Sequence, residues 1–508
     1  MRIRHSEGSS NYSTTDTSSS DEDAQLKKLH ARMCGIGHQK YNDIVPRPRA
    51  SPGYWLCCLL PLALVVGHYT TIRNQTQCPD MPVNYKIVTI ISVALCIQTI
   101  SFFVYLNLQA KLYKWLIVFI PFICGTGIFK VFLNESWTWS LLWTLAATIF
   151  YQRCYILVMR YMPMSFTYGE ASILVQGILL FAINCMLILN GWLCENAHHV
   201  FGDLANLNVI MMFALLWLLV VCILLAVFKC LRQPLLFYPL MAIFALGATL
   251  SPVTKPLPIV FLFKFIFRDS KRLYIILFYL GLVAATIFVI SWQLRRNTKQ
   301  ASTRVRKMFH LLVVLVYVPG LLYECAFLYI ASGVALALMA IFDLLRILRM
   351  PPFASILESA FHSFADEKDA GVIAFTPFCL LIGCSMPMWI LPCPCYRNDY
   401  GLNPKLLPLF SGILTVGFGD TAASVIGSKF GHTKWRNSSR TFEGSLAYIV
   451  AILTPVVLLC LLDLMALTSV QSLILILATI ITCLVEARTD QVDNLVLPLV
   501  FYIIVSLV

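Results

Sequence analysis

The chain has 508 residues, of which 59% are hydrophobic and only 12% charged, and a formal net charge of +13. A mean hydropathy of +0.78 excludes a soluble globular domain and predicts an integral membrane protein. The basic excess calls for no nucleic acid, because its Lys and Arg residues gather beside apolar runs, where such residues set topology or meet anionic lipid.

Residues 1–52 come first. Their stretch "GSSNYSTTDTSSSDEDAQ" is Ser/Thr-rich and poor in large apolar side chains, which predicts a disordered cytosolic tail. It lacks the apolar centre of a signal peptide, so the first span is expected to act as the insertion signal. Arg47 and Arg49 precede that span and, by the positive-inside rule, would hold the tail in the cytosol. Apolar runs follow near 54–70, 86–108, 112–132, 138–159, 172–193, 207–229, 235–251, 273–292, 309–330, 333–348, 372–392, 405–427, 444–466, 470–485 and 494–508. Several reach the roughly 20 residues that cross a ~30 Å hydrocarbon core, and others are short or broken. The fold class is therefore all-α, a polytopic membrane bundle of roughly 13–15 transmembrane helices.

Lys111, Lys114, Arg160, Lys229 and Arg232 follow the second, fourth and sixth runs, while the sequons at Asn74 and Asn134 follow the first and third. This alternation breaks where "RDSKR" (268–272) and "RRNTKQASTRVRK" (295–307) flank one run. Both are basic enough to favour the cytosol, so either 273–292 or the short "PLPIVFLFKFIF" before it is expected not to cross simply. The 18 cysteines are scattered through the apolar runs, and most read as reduced small hydrophobes. Cys393-Pro394-Cys395 lacks zinc-site spacing.

The segment "LTVGFGDTAASVIGSKFG" (414–431) places Asp420 in a greasy run. An ionised Asp at a helix centre costs about 2.5–3.5 kcal/mol, so Asp420 should face a cavity, a partner or an ion. Gly417 and Gly419 would let the backbone take positive φ and a ligand come close. A helix starting near Asp420 would offer free N–H groups to phosphate. Gly419, Ala423, Gly427 and Gly431 form a four-residue stripe for close helix packing, and Asp420 and Ser424 lie one turn apart. Lys429, Lys434, Arg436 and Arg440 follow, then Thr441-Phe442-Glu443-Gly444 at the mouth of the next run. These parts suit a nucleotide and Mg²⁺, although packing around a tolerated Asp is an alternative.

Arg306, Lys307 and His310 share a helix face at the start of a run. Asp366, Glu367, Lys368 and Asp369 form a loop that is either a solvated turn or a source of metal ligands. Glu486, Asp490 and Asp493 fall at i, i+4 and i+7 on one helical face, and the polar pair Asp493-Asn494 implies a cavity or a polar partner.

"GFGDTAASVIGSKFG…TKWRNSSRTFEGS" resembles the signature of the dolichol kinase family and, more distantly, of the polyprenol and phytol kinases. "RKMFHLLVVLVYVPG" (306–320), "FADEKDAG" (364–371) with the preceding "LLRILRMPP", and "EARTDQVDNLVLPL" (486–499) occur in the same order. Arg440 stands where the family commonly has Lys, and Asp343 where Glu is frequent; Asp490 has no counterpart in the pattern. The resemblance implies a C-terminal catalytic membrane domain over 294–508, preceded by N-terminal helices (53–293) of open role. It also implies CTP as phosphate donor, dolichol or another long-chain polyprenol as acceptor, Mg²⁺, and the endoplasmic reticulum membrane with the nucleotide site facing the cytosol. On that reading Asp420 would hold Mg²⁺, with His310, Asp366 and Glu443 as unranked candidates to orient or deprotonate the hydroxyl. Gly417, Gly419, Thr421, Ser424, Gly427, Lys429, Lys434, Arg436, Arg440 and Thr441 would surround the nucleotide, with Arg306, Lys307, Glu367, Asp369, Glu486, Asp493 and Asn494 as further candidates. Competing readings are a phosphatidate cytidylyltransferase, whose closing Asp-rich run is not seen, and a transporter, which would show related halves.

Overall fold

The computed structural model describes residues 44–73, 83–107, 111–133, 136–194, 203–254, 256–295, 301, 303–366, 368–369, 371–397, 401–436 and 438–507. Glu367, the sequon residues Asn74 and Asn134, and residues 1–43 of the tail lie outside them. Among the described residues there are α-helices and no β-strand, as expected where lipid leaves the backbone no partner but itself.

A 3₁₀ turn, Tyr54–Cys58, leads into α1 (Leu59–Arg73), followed by α2 (Val83–Asn107), α3 (Lys111–Leu133), α4 (Trp137–Tyr161), α5 (Tyr168–Cys194), α6 (Asp203–Val227), α7 (Pro234–Leu250), α8 (Pro258–Phe267) and α9 (Ser270–Arg295). Then come α10 (Thr303–Tyr323), α11 (Cys325–Ile347), α12 (Ala354–Phe364), α13 (Phe375–Ile390), α14 (Leu406–Leu409), a π-helix (Ile413–Asp420), α15 (Thr421–Phe430), α16 (Phe442–Leu461), α17 (Ser469–Arg488) and α18 (Asp493–Val505). Ten helices among the described residues are long and apolar enough to cross a membrane, and five apolar ones are shorter. One core cluster runs from Ile44 to Val505, joining early and late helices, and a smaller one packs α6 and α7 against the end of α11.

The bundle has two chemically different ends. At one, the segment before α1 meets the α17–α18 turn: Arg47 is buried in an ion pair with Glu170 at 2.7 Å, and Glu170 also accepts from the backbone N–H groups of Thr167 and Val492. Arg47 is thus a buried structural clamp. Asp490 accepts from the Ser51 amide and hydroxyl at 2.6 and 2.8 Å. At the other end a disulfide joins Cys325 to Cys395, and Cys393 is disulfide-bonded as well, whereas the other cysteines whose side chains are described are free, as expected of most.

The break in the basic alternation has a physical explanation. The segment 268–272 lies at the disulfide end, where Arg268 meets Asp203 at 3.2 Å and Arg272 meets Glu324 at 2.9 Å. Local acids therefore neutralise bases that would otherwise favour the opposite end. The ten-residue α8 extends only ~15 Å, so it does not cross alone, whereas α9 does have the length to cross. The run expected over 309–330 is interrupted at Glu324, between α10 and α11.

The expected span at 405–427 is likewise broken, into α14, the π-helix and α15. Gly417 and Gly419 are helical, not at positive φ, and the chain runs through Asp420 (φ −63°, ψ −33°) without opening a fresh helix start. The close approach is made by neighbouring helices instead of a ligand. A Cβ on Gly417 would lie 2.5 Å from Val314, and one on Gly419 would lie 2.7 Å from the Tyr448 ring. Gly427 and Gly444 abut across α15 and α16 in the same way, so the small-residue stripe does serve helix packing.

Candidate active site

At the basic end α10, the close of the π-helix, α17 and α18 bring charges together that are far apart in sequence. Asp420 is 1% exposed. Its Oδ2 accepts from Lys307 Nζ and lies 3.4 Å from His310 Nε2. That placement follows from α10, on which Lys307 and His310 are three residues apart and so face one way. His310 Nε2 also lies 3.3 Å from Asn494 Oδ1, and its buried Nδ1 has no hydrogen-bond partner among the described residues.

A second layer surrounds this centre. Lys368 reaches Asp493 at 3.0 Å and the Gln491 carbonyl at 3.0 Å. Arg440 lies between Glu486 (3.2 Å) and Asp493 (3.5 Å). Burial opposes the charge on Arg440, but Glu486, Asp493, Asp420 and Asp366 outweigh it, so the guanidinium holds its proton more firmly than usual. Arg306 pairs with Asp366 at 2.6 Å. Asp369 is buried and accepts from the backbone N–H groups of Asp366 and Thr376, which fixes the loop before α13.

The other candidates sit differently. Glu443 accepts from the Thr433 amide at 3.0 Å, and Thr441 caps α16 by accepting from Gly444 N–H. Thr421 donates to the Val416 carbonyl at 3.3 Å, and Ser424 is half-buried one turn on. Lys429, Lys434 and Arg436 are exposed on α15 and a loop pinned by Trp435, which stacks on Phe442 at 3.9 Å and donates to Ser445. Glu486, Asp490 and Asp493 do not share one helix, since α17 ends at Arg488 and α18 begins at Asp493. The break turns Asp490 toward Ser51 while Glu486 and Asp493 converge on Arg440.

Lys368 and Tyr448 were not among the candidates read from sequence. Lys368 sits in a loop whose acids drew attention, and Tyr448, at the Gly419 contact, carries no sequence signal beyond its type. For a metal, Asp420, Asp493, Glu486 and Asn494 supply oxygen donors, the type Mg²⁺ takes, and Mg²⁺ is usually held by one or two carboxylates plus substrate phosphates rather than by a closed cage. Among the described residues, the one group of three or more donors within 4.8 Å is Cys57, Cys58 and Cys96, a thiol set for softer metals.

No solved structure matches the chain. It is 30% identical to human dolichol kinase over 369 residues, covering 69% of this chain and 66% of that protein. It is 35% identical to the Bos taurus dolichol kinase over 254 residues, covering 49% of this chain and 47% of the relative, and 31% identical to the Arabidopsis thaliana protein "Dolichol kinase EVAN" over 258 residues, covering 49% and 43%. The matched chain thus spans from under half to about two thirds of these relatives' lengths. The family described as "Dolichol kinase" matches residues 144–464, beginning in α4, well before the motifs at 306–499. That match takes in both the π-helix bearing Asp420 and the α10 residues that face it, and by its extent the chain belongs to the dolichol kinase family.

Proposed function

We propose that the protein phosphorylates dolichol with CTP, supplying dolichyl phosphate as lipid carrier for protein glycosylation. The observation that carries the reading is the meeting of Lys307 and His310 on the buried Asp420, in a chain of this family. Phosphoryl transfer depends chiefly on positioning and on neutralising charge over the transferred group. Lys307, Lys368 and Arg440 are held by carboxylates that incoming phosphates can replace as partners. With Mg²⁺ held by Asp420 and a second carboxylate, Asp493 or Glu486, the ion would offset charge on the phosphate oxygens. Asp420 also orients the imidazole through Nε2, which leaves the unpartnered His310 Nδ1 to accept the hydroxyl proton as the dolichol oxygen bonds to the γ-phosphorus and CDP departs. Among the three candidate bases His310 ranks first, since Asp366 is engaged by Arg306 and Glu443 by a backbone amide. CTP rather than ATP comes from the family resemblance.

The basic end is assigned to the cytosolic face of the endoplasmic reticulum membrane. Two features support this: Lys229, Arg232, Arg306, Lys307, Lys434 and Arg436 gather there, and the Cys325–Cys395 disulfide lies at the opposite end, where an oxidising lumen would preserve it. The test is label transfer from γ-labelled CTP to dolichol in solubilised membranes. Mg²⁺-dependent transfer by the wild type that is lost in Asp420→Asn is expected. Equal transfer by the mutant would remove Asp420 from the centre, and no transfer by either would overturn the reading.

A further inference from the structure

A groove of about 500 Å³ opens between α9 and α10, lined by Ile275, Phe278, Val314, Leu315, Val318 and Phe418 among others. We infer that it holds the isoprenoid chain of the lipid alcohol, with the terminal hydroxyl at His310; the inference rests on the proposed function and extends it to substrate placement. The groove is continuous with the buried charges. His310, Val314 and Val318 recur every four residues along α10, so they share one face, and the apolar lining begins a single turn from the imidazole. Over those eight residues the face descends ~12 Å. On the other wall, Phe418 lies two residues before Asp420, and Val314 is the side chain that a Cβ on Gly417 would strike. The wall of the groove and the backbone carrying the central carboxylate are therefore one structure.

α9 is the most peripheral long span, with 6% of its apolar window buried. It is tied to α10 toward the disulfide end, where Tyr279 donates to the Val316 carbonyl at 2.7 Å and Arg272 pairs with Glu324. Its other end lies beside α12. The α9 wall of the groove, Ile275 and Phe278, lies between these two ties on a helix that stays open to lipid.

From the groove, the buried Asp420 and His310 (1% and 8% exposed) are reached only past an apolar lining, which a charged phospholipid headgroup does not enter because it stays at the interface. A single chain ending in a neutral hydroxyl meets no such barrier. The branched and aromatic lining also offers an uneven apolar surface suited to a methyl-branched chain, in a volume within the usual range of ligand pockets.

Leu315→Trp and Val318→Trp would fill the groove, and Leu315 is 40% exposed, so the larger ring has room without displacing core. In folded variants the KM for dolichol should rise on the order of tenfold while kcat and the KM for CTP hold, the signature of lost substrate binding alone. An unchanged dolichol KM, or a parallel rise in the CTP KM, would overturn the placement. A second measurement needs neither folded variants nor activity: photo-crosslinking of the wild type in nanodiscs with a diazirine-bearing polyprenol. Adducts on residues 275–278 and 315–318, displaced by dolichol and not by phosphatidylcholine, support the groove even if CTP transfer fails. Displacement by phosphatidylcholine would mark an ordinary acyl-chain slot, and adducts elsewhere would refute the assignment.

Discussion

Glu170 and Asp420 are both buried carboxylates at the basic end, yet they are held in opposite ways. Glu170 is fixed by the backbone N–H groups of Thr167 and Val492 in addition to Arg47, donors that cannot leave without unfolding the segment. Asp420 is met by the side chains of Lys307 and His310, which can turn to another partner by changing rotamer. A carboxylate bound to backbone is a fastener, whereas one bound to mobile side chains can release them to an incoming phosphate and take a metal in their place. The contrast separates structure from chemistry in two regions that look alike by charge and burial.

The sharpest test of that contrast is Asp420→Asn. It should lower kcat by roughly 10³-fold or more, as loss of a group that stabilises transferred charge does, while the melting temperature in detergent falls less than for the clamp variant. Glu170→Ala should do the reverse. Leaving Arg47 buried without its carboxylate costs about 3–5 kcal/mol, read as lost thermal stability, with near-normal KM for CTP in the remaining folded protein. If Glu170→Ala removes activity at full stability, the two regions are not distinct. Arg440→Met lies between them: it leaves Glu486 and Asp493 facing each other and should reduce kcat/KM about 10²-fold, whereas Arg440→Lys keeps the charge and should stay close to wild type.

The smallest effect belongs to Asp490. Burial opposes its charge, but the Ser51 amide, Gln491 and the Ser51 hydroxyl outweigh it, so its carboxyl is held below the ordinary range. A group depressed in the folded state adds stability that is complete above the unfolded carboxylate value near 3.9 and is lost as pH falls through the lower folded value. Asp490→Asn should therefore flatten the acid limb of the melting profile and leave neutral-pH activity unchanged.

Much of the fold could be read from hydropathy, because a membrane-crossing helix announces itself by length and composition. The broken segments could not. Nothing in the composition of 405–427 distinguishes a straight span from α14, a π-helix and α15; only the neighbours Val314 and Tyr448 show why Gly417 and Gly419 are small. Charge patterning failed at 268–272 because topology rules count bases without their partners, here Asp203 and Glu324. In the site, Asp420, Lys307 and His310 were visible as polar residues in apolar runs, but their mutual pairing was not, since it joins positions 113 residues apart. Lys368 stands out only as part of its loop, because a lone base among Asp366, Glu367 and Asp369 reads as balancing a solvated turn.

The split helix carrying Asp420 also bears on how the chain is made. A segment interrupted by a π-helix and charged near its middle is a poor candidate for independent insertion. Its partners on α10 are synthesised earlier, so Lys307 and His310 stand ready in the bilayer when Asp420 emerges. Biogenesis of the segment 406–430 is then a docking event onto α10 rather than a free partitioning step, and a chain lacking the α10 bases should fail at the membrane-integration stage, before any substrate is met.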